Sequence, residues 1–319
     1  MLTSVELCAG AGGQALGLEQ ADFEHQALVE NDQHCCKTLV QNRDFWNVLE
    51  EDLQDFREKA SDYKGVDLVA GGLPCPPFSV AGKQLGEKDE RNLFPVALDI
   101  IDAIRPKAVM IENVRGFLDS AFLDYRNGLK RQLEKLGYET DWELLQASHF
   151  GVPQLRPRVV IVALQAKYVD LFDWPEKENT EPPTVGQALL DMMRANGWRG
   201  AEKWAAKADD IGPTLVGGSK KHGGPDLGPT RAKKAWAALG VNGHTIAEEA
   251  PERDFVGSPR LTVDMVAKLQ GFPPEWKFVG RKTHAYRQVG NAFPPPVAKA
   301  VGERLVEALT ARKINRLRA

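Results

Sequence analysis

The stretch Glu6-Leu7-Cys8-Ala9-Gly10-Ala11-Gly12-Gly13-Gln14-Ala15-Leu16-Gly17 runs from a short apolar segment, Val5-Glu6-Leu7, straight into closely spaced glycines. Glycines between a strand and a helix let the backbone turn tightly and approach a ligand closely. Glu30 follows Gly10 by twenty residues, at the end of the next apolar run, Gln26–Val29. A carboxylate so placed can accept both hydroxyls of a ribose. The spacing is Gly-x-Gly-Gly-x-x-x-Gly rather than the Gly-x-Gly-x-x-Gly of dinucleotide sites. It suits a nucleoside cofactor without a pyrophosphate; a tight turn with no ligand is the alternative.

Outward from this turn, Val66–Ala70, Val109–Ile111 and Arg158–Leu164 read as further buried strands. Leu93–Ile104 carries apolar residues at 93, 94, 96, 97, 100, 101 and 104, a helical period, and Asp124–Leu136 is a second amphipathic helix. Strands alternating with helices imply an α/β fold with a mostly parallel sheet covered on both faces. After about Tyr168 the texture changes. Glu176–Pro183 is a linker by composition, and glycines and prolines are frequent from there to about Lys282. Pairs such as Gly217-Gly218 and Gly223-Gly224 suggest loops held by a small scaffold. Regular texture returns at Val297–Leu309, a terminal helix.

The chain has 319 residues, 43% hydrophobic and 27% charged, which excludes wholesale disorder. No apolar run reaches the roughly 18 residues of a membrane span. The start lacks a basic, apolar leader, and four cysteines are too few for a disulfide framework, so reduced thiols and a cytoplasmic protein are expected. The net charge of −3 rules out a uniformly basic nucleic-acid coat. Its distribution is uneven. Residues 215–247 hold five lysines and arginines against one aspartate, and residues 309–319 hold four against none. Such patches attract a polyanion locally, or are solvated loops.

Gly71-Gly72-Leu73-Pro74-Cys75-Pro76-Pro77-Phe78-Ser79 follows a strand, at the sheet end where parallel sheets carry their sites. Prolines stiffen the loop that presents Cys75, a setting that suits a nucleophile; a buried filler thiol is the alternative. Cys-x-x-Cys is absent, which leaves zinc and dithiol chemistry without support. Glu112, after the run Val109–Ile111, is a charged residue ending a buried strand. It can protonate a ring nitrogen if its pKa is raised, while Asn113 can brace the cysteine loop or cap a helix.

Together these segments resemble the DNA cytosine-5 methyltransferases of the bacterial modification type, in family order over nearly the whole chain. Glu6–Gly13 resembles their cofactor turn, and Gly72-x-Pro74-Cys75-x-x-Phe78-Ser79 their nucleophile loop. Arg91-Asn92-Leu93-Phe94, Glu112-Asn113-Val114 and Phe150-Gly151-Val152-Pro153-Gln154-x-Arg156-x-Arg158 follow. Arg260-x-Thr262, Leu269-Gln270-Gly271-Phe272-Pro273 and Gln288-Val289-Gly290-Asn291-Ala292 complete the set.

The resemblance implies a Rossmann-like S-adenosylmethionine-dependent domain over 1–178 and 286–319, and a smaller irregular target-recognition domain over 179–285. It implies methyl transfer to carbon 5 of a flipped-out cytosine in a short duplex site, through a covalent Cys75 adduct. Glu112 would engage the ring nitrogen N3, Arg158 the O2 with Arg156 in support, and Asn113 the loop. Cys8, Ala9, Gly10, Gly12, Gly13, Glu30, Asn31, Asp52, Leu53, Pro74, Leu93, Asn291 and Ala292 would hold S-adenosylmethionine and then S-adenosylhomocysteine, with no metal. Asp52 is otherwise an ordinary turn residue. Ser79, Lys83, Arg91, Thr214, Gly217, Gly218, Ser219, Lys220, Lys221 and Arg231 would meet DNA, with His222, Lys233 and Lys234 as further candidates.

Expected partners are double-stranded DNA and a cognate restriction endonuclease. The protein would act as a monomer at the nucleoid. Two departures stand out: Cys8 occupies a place often held by phenylalanine, and Pro76 one often held by glutamine. An RNA cytosine methyltransferase of the same fold is the nearest rival. A nicotinamide-dependent oxidoreductase would explain only Gly10–Gly17 and Glu30.

Overall fold

The computed structural model describes residues 1–73, 92–178, 181–218 and 224–311. β1 (Leu2–Leu7) leads into α1 (Gly13–Gln20), β2 (Phe23–Glu30), α2 (Gln33–Asn42), β3 (Val48–Glu50) and α3 (Leu53–Lys59). Then come β4 (Leu68–Gly71), α4 (Phe94–Ile104), β5 (Ala108–Val114), α5 (Leu123–Lys135), β6 (Tyr138–Gln146), β7 (Gln154–Leu155) and β8 (Pro157–Gln165). One sheet has the order β3-β2-β1-β4-β5-β8-β6. β1 to β5 pair in parallel, and β8 runs antiparallel to both β5 and β6. The expected mostly parallel sheet is present. Its one reversed strand was not foreseen: β6 and β8 pair antiparallel, and such a pair needs no crossover helix.

Period-2 alternation builds a three-layer sandwich. Val109, Ile111, Val159 and Ile161 pack with Phe56, Ile100 and Leu133 of α3, α4 and α5. Ala108, Met110, Val160 and Val162 face the opposite way, against Val297, Val301 and Leu305 near the end of the chain. β5 continues three residues past the expected Ile111, so Glu112 and Asn113 lie inside the strand rather than after it.

The region after α6 (Ala166–Val169) is more regular than expected. It holds α7 (Val185–Met193), α8 (Ala201–Lys207), β9 (Gly212–Pro213), α9 (Thr230–Ala238), α10 (Val263–Leu269) and α11 (Lys282–Asn291). Leu189, Trp204, Trp236, Leu261 and Trp276 form a core that also takes in Leu16, Leu28, Leu39 and Trp46 from the first half. The two halves therefore share buried apolar surface.

α12 (Pro295–Thr310) packs along α1, and the approach is close enough to require glycine. A Cβ on Gly13 would lie 2.1 Å from Phe293 O, and one on Gly17 would lie 2.4 Å from Pro295 O. Under the same helix, His25 is 8% exposed. Its Nε2 lies 2.9 Å from Ala15 O, a pure acceptor, so Nε2 carries the proton. Nδ1 then accepts from Ser4 Oγ at 2.8 Å. Burial holds this imidazole neutral, lowering its pKa to about 4.

Two outcomes follow, both read by urea denaturation. Gly13→Ala should cost about 1–3 kcal/mol by overpacking. Gly128→Ala, in α5 with nothing within 4 Å of its Cβ position, should add about 0.5–1 kcal/mol. For His25, the unfolded chain gains a proton below about pH 6.5 that the folded chain refuses until about 4. Stability should therefore fall by roughly 3 kcal/mol as pH drops across that window, and His25→Gln should flatten the slope.

Candidate active site

The carboxyl ends of β1, β2 and β4 converge on the glycine turn. Cys8, Gly10 and Gly12 all take positive φ, at 54°, 55° and 86°. Gly10 N–H donates to Glu30 Oε2 at 2.8 Å, and Asp32 N–H donates to Oε1 at 2.7 Å. Burial raises the Glu30 pKa against those two bonds, which lower it.

The glycines divide their labour. Among the described residues, nothing lies within 4 Å of a Cβ on Gly10, whereas one on Gly12 would strike Leu39 and Trp276. Gly13 is set against Phe293 O. Trp276 also donates its Nε1–H to Ala11 O at 3.2 Å. Ala9 is 6% exposed and bonded to Val29 O. Nearby, Asn31 Nδ2 donates to Asp52 Oδ2 at 3.1 Å, while Asp52 Oδ1 accepts Gln54 N–H and caps α3. Leu53 packs in the core beside Phe56, and Leu93 lies partly buried at the start of α4. The open side of Gly10, edged by Glu30 and the Asn31–Asp52 pair, fits a nucleoside with a ribose diol.

Beside the turn, Glu112 is 8% exposed, and its Oε1 lies 2.6 Å from Arg158 Nε. Register explains the pair: Val160 faces Glu112 across β5 and β8, and Arg158 is two residues along, on the same face. A Cβ on Gly72 would lie 3.7 Å from Glu112 Oε2 and 3.8 Å from Cys8 O. Asn113 is fully buried. Its Oδ1 accepts the Val114 N–H, and its Nδ2 has no protein partner.

Arg156, expected to support Arg158, does not lie beside it. It is fully buried, and its guanidinium donates to Leu215 O (2.6 Å), Gly290 O (3.0 Å) and Ala292 O (2.9 Å). The two arginines would share a face on one continuous strand, but the chain changes sheets between them. Gln154 and Leu155 pair with Gly212 and Pro213, whereas β8 joins the main sheet. Gln154 extends the knot. Its amide donates to Gln270 Oε1 and accepts Leu215 N–H, and Gln270 donates to Ala292 O. The sequence contained both glutamines without showing this role, because no periodicity marks a contact between distant segments.

At the base of the glycine-rich loop, Thr214 Oγ1 donates to Leu155 O at 2.5 Å. Asn291 Nδ2 donates to Gly218 O at 3.2 Å, and a Cβ on Gly217 would meet Arg287 O and Asn291. Arg231 is exposed on α9, while Lys233 pairs with Asp226 at 3.0 Å. Pro74, Cys75, Ser79, Lys83, Arg91, Ser219, Lys220, Lys221 and His222 lie outside the described residues, as does the basic tail from 312. Among the described residues, no cluster of three His, Cys, Asp or Glu could hold a metal, and no helix is long and apolar enough to cross a membrane.

The family model of the C-5 cytosine-specific DNA methylases matches residues 2–307. The type II methyltransferase M.NaeI of Lentzea aerocolonigenes is 53% identical over 100% of this chain and 78% of its own. M.NgoMIV of Neisseria gonorrhoeae is 51% identical over 96% and 98%. The solved Dnmt2 methyltransferase of S. pombe superposes with a TM-score of 0.62 at 18% identity, covering 97% of this chain and 99% of that one, a likeness of fold.

The buried ion pair sets a measurable coupling. In a double-mutant cycle of Glu112→Gln and Arg158→Met, followed by urea denaturation, the interaction energy should exceed about 1 kcal/mol. Either single change should cost more than the double, because it leaves one charge buried and unpaired. Additive costs would mean the pair is screened by solvent.

Proposed function

This chain belongs to the C-5 cytosine-specific DNA methylases, and on that premise we propose how its residues transfer a methyl group to carbon 5 of cytosine in DNA. The observation that carries the assignment is the meeting at Gly72 of Glu112 and the glycine turn. Cys75 is three residues further on in the sequence.

Carbon 5 of cytosine is a poor nucleophile. The Cys75 thiolate adds to carbon 6, and Glu112 supplies a proton or hydrogen bond at N3, which moves electron density to carbon 5. Arg158, held against Glu112, directs its guanidinium at the cytosine O2, where negative charge develops. Gly10, Glu30 and the Asn31–Asp52 pair would hold S-adenosylmethionine, which would supply the methyl group as an electrophile. Loss of the carbon 5 proton to a base, expulsion of the Cys75 sulfur as thiolate and return of the N3 proton to Glu112 restore the aromatic ring. Carbon 5 is shielded within a stacked duplex, so the nucleotide is swung out, at a cost of a few kcal/mol. Asn113 braces the cysteine loop. Arg156 acts at a distance, by fixing the chain that carries Arg158.

Target choice falls to 179–285, as a domain set apart from 1–178 and 286–319. The loop after Thr214 enters the major groove, with Gly217, Gly218, Ser219, Lys220 and Lys221 at the DNA and Arg231 beside it. Ser79, Lys83 and Arg91 meet the strand on the catalytic side. The relatives' type II names support a cognate restriction endonuclease as functional partner. The enzyme works as a monomer, in the cytoplasm at the nucleoid.

Cys75→Ser should abolish transfer of labelled methyl groups to duplex DNA while leaving S-adenosylmethionine binding intact. A duplex carrying 5-fluorocytosine should become joined to Cys75, visible by peptide mass. Transfer by the serine variant, or an adduct elsewhere, would sink the assignment. Faster transfer to transfer RNA than to duplex DNA would favour the RNA reading.

A further inference from the structure

Glu6 is a buried carboxyl that the mechanism above does not use. It is the penultimate residue of β1 and 1% exposed. Val5 and Leu7 pack toward α3 and α4, so alternation turns Glu6 to the α1 side of the sheet. The Ala15 N–H, in the first turn of α1, donates to its carboxyl, and Oε2 has no partner within the protein. Gln14, beside Ala15, is 3% exposed, and neither its Nε2 nor its Oε1 has a protein partner. Three orphaned polar atoms thus sit beneath the glycine turn, where buried polar groups are normally satisfied.

We propose that Glu6 and Gln14 form a charge-responsive subsite under the cofactor. The Glu6 carboxyl is neutral in the free protein and releases its proton when a net cation binds over Gly10. This rests on the S-adenosylmethionine reading. That molecule carries a sulfonium and a net positive charge, and the carboxylate formed beneath it balances that charge. S-adenosylhomocysteine has an uncharged thioether and draws out less of the proton. After methyl transfer Glu6 regains a proton from solvent, which weakens the hold on the spent cofactor.

Burial raises the Glu6 pKa, the Ala15 N–H opposes this, and the nearby Glu30 charge adds to the rise. The surroundings leave Glu6 free to respond. On β2, Glu30 is tied to backbone N–H groups and His25 is neutral. β4 offers no titratable side chain between Leu68 and Gly71. Glu19 of α1 is paired with Arg43, Lys299 of α12 with Glu303, and Glu112 of β5 with Arg158.

The test is calorimetric titration of the full chain, without DNA, at pH 7 in phosphate and in Tris, whose ionisation heats differ. The buffer dependence of the binding heat counts protons released. S-adenosylmethionine should release more than S-adenosylhomocysteine. Glu6→Gln should bind both, equalise the two proton counts, and shrink the preference for S-adenosylmethionine by about tenfold, the factor of one pKa unit. Glu30 meets the ribose common to both ligands, so its contribution cancels in the difference. Equal proton counts for the two ligands on the unaltered protein would overturn the inference. Failure of either ligand to bind would instead overturn the cofactor reading beneath it.

Discussion

The glycine turn after β1 is fixed from three directions, and every other part of the site is placed relative to it. The Glu30 carboxylate holds the Gly10 N–H, the Trp276 indole holds the Ala11 carbonyl, and the Phe293 carbonyl occupies the space a side chain on Gly13 would need. Among the described residues, nothing closes off the space beside Gly10, which leaves it for a ligand. Preorganisation of this kind lowers the ordering cost of binding, because the backbone already has the bound shape. The cost is carried elsewhere, in positive φ angles and in glycines that α12 cannot tolerate losing.

Polar groups, rather than apolar area alone, join the main sheet to the later segments of the chain. Arg156 draws together segments at 154–158, 215 and 290–292, and Gln154 and Gln270 close the knot. Apolar contacts slide with little change in energy, whereas bidentate and charge-assisted bonds have one good geometry. Such a knot suits a protein in which Arg158, two residues from Arg156, must keep its place beside Glu112 while another surface meets DNA.

Local period made much of this legible. β1, β2, β4, β5, β8, α4, α5 and α12 stand out as apolar runs or helical stripes, and the parallel sheet follows from their alternation. The sheet edges were missed. β3 has three residues, and β6, Tyr138–Gln146, places threonine, aspartate and glutamates on a half-solvated strand. The short helices between 185 and 269 were missed because seven to nine residues give too few turns for a stripe to show. At the site, Glu30 and Glu112 could be picked out because a charge beside an apolar run is conspicuous, whereas Arg158 stood out only through the resemblance of its motif. Trp276, Gln154 and the true place of Arg156 could not. Each acts through contacts more than fifty residues away, and no local pattern records such distances.

The pairing of α1 with α12 joins two helices that lie far apart in the sequence, with Gly17 set against Pro295. During synthesis, Leu18, Ala21 and Phe23 lack the part of their cover that Val297, Val301 and Leu305 supply until α12 has been made. Contacts of such high sequence separation form late in folding. A message cut short before α12 would leave an apolar groove for chaperones or proteases to find.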